Sequence, residues 1–117
     1  MANRVSGRKL GRKTGPRMAL YKNLTVAILR YEQVKTTEAR AKEVRGRVER
    51  MITLAKDGSL TARRRVVAEL PDEPLVIDKL FKEIAPRYAD RTSGYTRLVR
   101  IGLRSGDAAP IVQIELV

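Results

Sequence analysis

The stretch GRKLGRKTGP, residues 7–16, sets Arg8, Lys9, Arg12 and Lys13 among glycines spaced four apart. Cations among glycines suit phosphate binding, because glycine lets the backbone come close while guanidinium and ammonium groups pair with phosphate oxygens. The stretch approaches the phosphate loop of nucleotide hydrolases, which needs Gly, four residues, Gly, then Lys and Ser or Thr. Here Gly7 and Gly11 enclose three residues, Arg12 intrudes before Lys13-Thr14, and no apolar strand leads in. Without a strand and a helix to hold its N–H groups around a phosphate, such a loop has no cradle. Glycines four apart also pack membrane helices, but only in an apolar host. What remains is an extended arm lying on a polyphosphate surface, with Arg4 ahead of it and Arg17 and Lys22 behind. The ordinary alternative is a solvated basic tail with no specific partner.

The charge distribution favours the arm. The chain has 117 residues, 25 Lys plus Arg and 13 Asp plus Glu, a net charge of +12. Eight of the bases and none of the acids fall in residues 1–31. Arginine outnumbers lysine 17 to 8, and its planar fork grips phosphate in a bidentate way that a point charge cannot. A polyanion is thus the expected partner. Cysteine and histidine are both absent, which removes disulfides, thiolate chemistry, His-ligated metals and the usual neutral-pH proton shuttle. The longest apolar run, LTVAIL at 24–29, is too short to cross a membrane. The Arg-rich, acid-free start also matches an organelle transit peptide, though a cytoplasmic protein is the main expectation.

Two other groups of cations could meet a polyanion. Arg63, Arg64 and Arg65 form a run within a helical pattern; a free DNA-binding regulator laying that helix in the major groove is the alternative function. In PRYADRTSG and the residues after it, Arg87, Arg91 and Arg97 stand beside Tyr88 and Tyr95, a mixture that suits RNA, with Arg104 further along. Both tyrosines could equally pack at a sheet edge. The acids are interspersed with bases at helical spacing, Glu43 with Arg47 and Arg45 with Glu49, which makes surface pairs rather than a catalytic site. The chain therefore reads as a binding protein and not an enzyme, with no cofactor, metal or small-molecule substrate.

The elements that would position these residues follow from periodicity. Residues 1–13 show none and form the basic extension; 14–117 form one domain. A helix runs from a Thr14 cap to about Tyr31, its stripe made of Leu20, Tyr21, Leu24, Ala27, Ile28 and Tyr31. QVKTT at 33–37 reads as a short strand. Thr37 then caps a helix with Ala41, Val44, Val48, Met51, Ile52 and Ala55 inward, stopped by Asp57-Gly58. Ser59 opens a helix to Leu70 with Val66, Val67 and Leu70 inward. Asp72 caps another, with Ile77, Leu80, Phe81 and Ile84 inward until Pro86. Residues 95–101 and 111–117 read as an antiparallel pair of strands, with Val112, Ile114 and Leu116 on one face. The expected fold is α+β: about four helices on a small mixed sheet of about three strands.

GRKL at 7–10, TT-x-x-RAKEVRG at 36–46, ITLAKDGSLTARRRV at 52–66, KLFKEIAPRYADR at 79–91, GYTRLVRIG at 94–102 and RSGDAAP with IELV at 104–117 cover nearly the whole chain in order. Together they resemble the bacterial large-subunit ribosomal protein L-seventeen family. The resemblance implies an α+β domain that binds large-subunit ribosomal RNA near the polypeptide exit and touches a small neighbouring ribosomal protein. It maps the family's basic N-terminal segment onto Arg4 through Arg17. The start departs from the family, whose members usually begin Met-Arg-His-Gly, and Gly11 stands where asparagine is common.

Overall fold

The computed structural model describes residues 14–117, with side chains from residue 18 onward. Its central element is α2 (Glu38–Asp57), and the six residues spaced for one face, Ala41, Val44, Val48, Met51, Ile52 and Ala55, are all buried. The Thr37 hydroxyl accepts the Arg40 N–H at 3.4 Å, and Glu38 in the first turn complements the helix dipole. Gly58 ends the helix at φ 69°, where a side chain would be strained, and its N–H closes on the Leu54 carbonyl at 3.2 Å. Ser59 then caps α3 (Leu60–Glu69), accepting the Ala62 N–H at 3.1 Å.

The flanking helices bury somewhat different residues from those expected. In α1 (Thr14–Tyr31) the inward residues are Tyr21, Thr25, Ile28 and Leu29, whereas Tyr31 is 65% exposed at the helix end. The buried Thr25 hydroxyl satisfies itself on the Tyr21 carbonyl at 2.8 Å, as helical threonines do. In α3, Ala62 and Val66 are buried together with Leu70 just beyond the helix, four residues apart, so Val67 turns outward instead of inward.

The next helix, α4 (Pro74–Lys79), starts after Glu73 with Pro74 in its first turn and no side-chain cap; Asp72 does not serve. It buries Val76 beside Ile77, and widens into a π-helical segment (Leu80–Ile84) in which Phe81 is only half-buried. The Ala85 N–H reaches back to Leu80, one residue further than in an α-helix. That wider turn carries the helix past Pro86, which lacks a donor and whose ring would crowd an α-helical carbonyl. A last turn, α5 (Ala85–Arg87), extends the helix into what composition alone marks as loop.

Strands β1 (Gln33–Thr37), β2 (Thr96–Leu103) and β3 (Pro110–Leu116) form a sheet in the order β1-β3-β2, and both pairings are antiparallel, so the sheet is not mixed. Val112, Ile114 and Leu116 face the helices, as their alternation predicts. A bulge between Arg100 and Gly102 shifts the register of β2.

Glu32 fastens the helices to the sheet. It turns the chain from α1 into β1 at φ 66°, a conformation unusual for a residue with a side chain. Its N–H completes α1 on the Ile28 carbonyl and its own carbonyl accepts the Leu116 N–H at 2.9 Å. Its carboxylate takes both guanidinium N–H groups of Arg87 at 2.6 and 3.0 Å and lies 3.1 Å from the Lys79 ammonium. The Arg87 hydrogen bond, helped by Lys79 and opposed by partial burial, holds Glu32 near pKa 2 instead of 4.5. A carboxyl depressed in this way stabilises the fold at all pH values above its unfolded value near 4.5, and the contribution fades as pH falls towards 2. A Glu32→Gln variant is therefore expected to unfold more easily than the parent in urea at pH 7. The gap should narrow as pH drops through that window, as checked by urea midpoints measured at pH 7, 4 and 2.5.

Candidate nucleic-acid interface

Because α3 commits Ala62, Val66 and Leu70 to the core, Arg63, Arg64 and Arg65 must splay over its outer side, and all three are exposed. Arg63 lies over the Phe81 ring at 4.4 Å, so packing as well as charge fixes its position. On the other flank Arg65 faces Arg50 of α2 across a groove of about 330 Å³, lined also by Glu49, Thr53, Leu54 and Ser93. None of Arg50, Arg63, Arg64 and Arg65 has an acid within 4.0 Å among the described residues. This face presents guanidinium groups with hydrogen-bonding capacity to spare.

Glu49 is the one acid in that groove, and its oxygens are turned to other donors. They accept the Gly94 N–H at 3.2 Å, the Thr96 N–H at 3.0 Å and the Thr96 hydroxyl at 2.8 Å. Gly94 needs its freedom here, since the backbone adopts φ 71° to present that N–H. Arg45 adds bonds to the Thr96 hydroxyl and carbonyl at 3.1 and 3.2 Å. α2 thus fixes the loop carrying Arg91 and Ser93 against the groove.

The other expected contact residues sit differently. Arg87 is committed to Glu32, which raises its already high pKa. Arg97 pairs with Glu115 at 2.6 Å, and Arg104 with Asp107 at 2.6 Å. That pairing, with the Ala109 N–H, holds Asp107 at a pKa of about 2. Arg91 donates to the Gly94 carbonyl at 3.2 Å while its own carbonyl accepts from Lys56. Lys22 is half-buried where α1, α2 and α3 meet, in a groove with Met18, Asn23, Arg47 and Glu69. Arg4, Arg8, Lys9, Arg12 and Lys13, with the side chain of Arg17, lie outside the described residues.

Tyr88 and Tyr95 pack rather than offer stacking surfaces. Both are buried, their ring centres are 5.3 Å apart, and their hydroxyls donate to the Val117 carbonyl at 2.6 Å and the Thr92 carbonyl at 3.0 Å. Sequence reasoning missed Arg50 and its meeting with Arg65. A signal was present: Lys42, Gly46, Arg50, Thr53 and Asp57 form the exposed stripe of α2 opposite its apolar one.

The sequence profile of ribosomal protein L17 matches residues 20–117. The chain belongs to the ribosomal protein L17 family. It is similar to the large ribosomal subunit protein bL17 of Desulfitobacterium hafniense, with 56% identity over 94% of this chain and 97% of the relative. It is also 55% identical to that of Caldanaerobacter subterraneus over 97% of this chain and the whole relative, and 46% identical to that of Dehalococcoides mccartyi over 100% and 99%. Membership in the L17 family makes the chain a ribosomal protein and not an enzyme, so its arginines are to be judged by what they bind.

The Glu49 anchor can be tested within the protein. Glu49→Ala strands the Gly94 and Thr96 N–H groups, and a buried donor left unpaired costs about 1–3 kcal/mol. Chemical denaturation should show a loss of that size. Amide exchange in residues 91–96 should rise more than in α2.

Proposed function

We propose that this L17-family protein is a structural constituent of the large ribosomal subunit that binds and stabilises large-subunit ribosomal RNA through Arg and Lys contacts to phosphate. The observation that carries the reading is the outward set Arg50, Arg63, Arg64 and Arg65, free of acids among the described residues, whereas Arg87, Arg97, Arg100 and Arg104 are each paired with a carboxylate. Cations of that kind exchange their bulk counterions for phosphate, the main source of affinity for a nucleic acid backbone. The five cations of residues 1–13 extend the same surface in sequence. Binding near the polypeptide exit, beside a small neighbouring ribosomal protein, follows the resemblance to the family. Residues Arg87, Arg97 and Arg104 would have to share their carboxylate partners with RNA, so they contribute less than the α3 run. The DNA-regulator alternative has less support, because Arg63 is stacked on Phe81 and Arg65 turns toward α2, which leaves no single ridge to enter a groove.

The test compares the full chain, a chain lacking residues 1–13, and a triple Arg63→Gln, Arg64→Gln, Arg65→Gln variant for binding to large-subunit RNA across a salt series. Removing one cation–phosphate pair should flatten the log–log salt slope by about 0.7–0.9. Both variants should keep the fold and show shallower slopes; unchanged slopes would count against the assignment. Comigration of the tagged chain with large subunits in a gradient is the companion result, and a purely soluble pool would favour the regulator.

A further inference from the structure

β2 presents a surface of another kind. It is an edge strand, with β3 on one side and, among the described residues, no backbone partner on the other. Along it Val99, Ile101 and Leu103 are 39, 50 and 67% exposed. Val99 stands across from Gln113, and Ile101 occupies the bulge, so neither finds an apolar neighbour across the ladder. The bulge breaks the alternation, so Val99 lies on the face of Gln113 and Leu103 on that of Pro110, and an unpaired strand with exposed apolar side chains on both faces marks a place where another surface docks.

The charges around the row say what kind of surface. Arg97 is bound to Glu115 at 2.6 Å, Arg100 to Glu38 at 3.0 Å and Arg104 to Asp107 at 2.6 Å. Each cation interleaved with the apolar residues has a carboxylate beside it, so a phosphate binding there would meet that negative charge. A neutral chain meets no such repulsion. It gains backbone hydrogen bonds along the free edge and apolar packing on both faces of the strand, the requirements of strand addition. We infer that the outer edge of β2 receives an extended, apolar, uncharged segment of a neighbouring protein of the large subunit as a fourth strand. The inference rests on the ribosomal reading above and gives the protein two faces: cations for RNA on α2 and α3, and a strand edge for protein on β2.

A photo-crosslinking amino acid placed at residue 101 in the full chain, assembled into purified large subunits, reads the occupant directly. The expected result is one identified ribosomal protein joined through one segment. A cross-link to ribosomal RNA, to residues 1–13 of the same chain, to a second copy, or to nothing overturns the inference. Hydrogen exchange on the unmodified chain guards against a poorly incorporated variant. Amides of residues 97–103 should exchange at least about tenfold more slowly in the subunit than in the free chain, a factor equal to about 1.4 kcal/mol; unchanged exchange there also overturns it. If the unmodified chain fails to sediment with large subunits, the ribosomal reading itself falls, a failure separate from a misplaced cross-link.

Discussion

The rest of the structure depends on the apolar stripe of α2. Its buried residues from Ala41 to Ala55 belong to a single core with residues of α1, the helices from α3 to α5 and the sheet. One helix touching so many partners keeps only a narrow outer stripe, and Lys42, Gly46, Arg50, Thr53 and Asp57 occupy it. The position of the cationic face follows: α3 packs beside α2, so arginines leaving the outer side of α3 meet Arg50 at the rim of that stripe. Burial of the Val, Ile and Met side chains, each worth about 1.5–3 kcal/mol, thereby places charges that take no part in the burial.

Acids decide how those charges can be used. Glu32 and Glu49 bind backbone N–H groups or cations that link helices to the sheet, and Glu38, Glu115 and Asp107 hold the arginines along β2 and its hairpin. In α3 the only acid is Glu69, at the far end, where it lies 3.9 Å from Arg47. The arginine run is therefore free because, among the described residues, no carboxylate lies within reach of it, and not because the surface is basic throughout.

Much of this was legible in the sequence where a local rule suffices. The α2 stripe, its Thr37 cap and Gly58 stop, the Ser59 cap and the alternation of β3 each depend on residues within one turn or one strand. Errors came where tertiary packing chose between locally equal options. Tyr31 and Val67 fit their stripes by spacing but lie where no neighbour covers them, and Thr25 is buried because its hydroxyl bonds its own helix. Pro86 marks a helix end in most contexts, and here a π-helical turn carries the chain past it. In the candidate interface the arginine run was visible. Its freedom from acids was not, since Arg87 meets Glu32 and Arg100 meets Glu38 across more than fifty residues of chain.

Arginine content alone overstates how much of such a surface can answer to salt. An exposed guanidinium without a protein partner carries a loose atmosphere of ions, and phosphate binding releases them, which is a favourable entropy that shrinks as salt rises. A guanidinium beside a carboxylate draws a thinner atmosphere, because the pair carries little net charge, so a phosphate that binds there releases fewer ions. Arg97, Arg100 and Arg104, each beside a carboxylate, add less net charge to their surface than the α3 run adds to its own, and exposed apolar residues lie between them. The same residue type thus stands on two surfaces of different net charge, and the placement of a few carboxylates separates them.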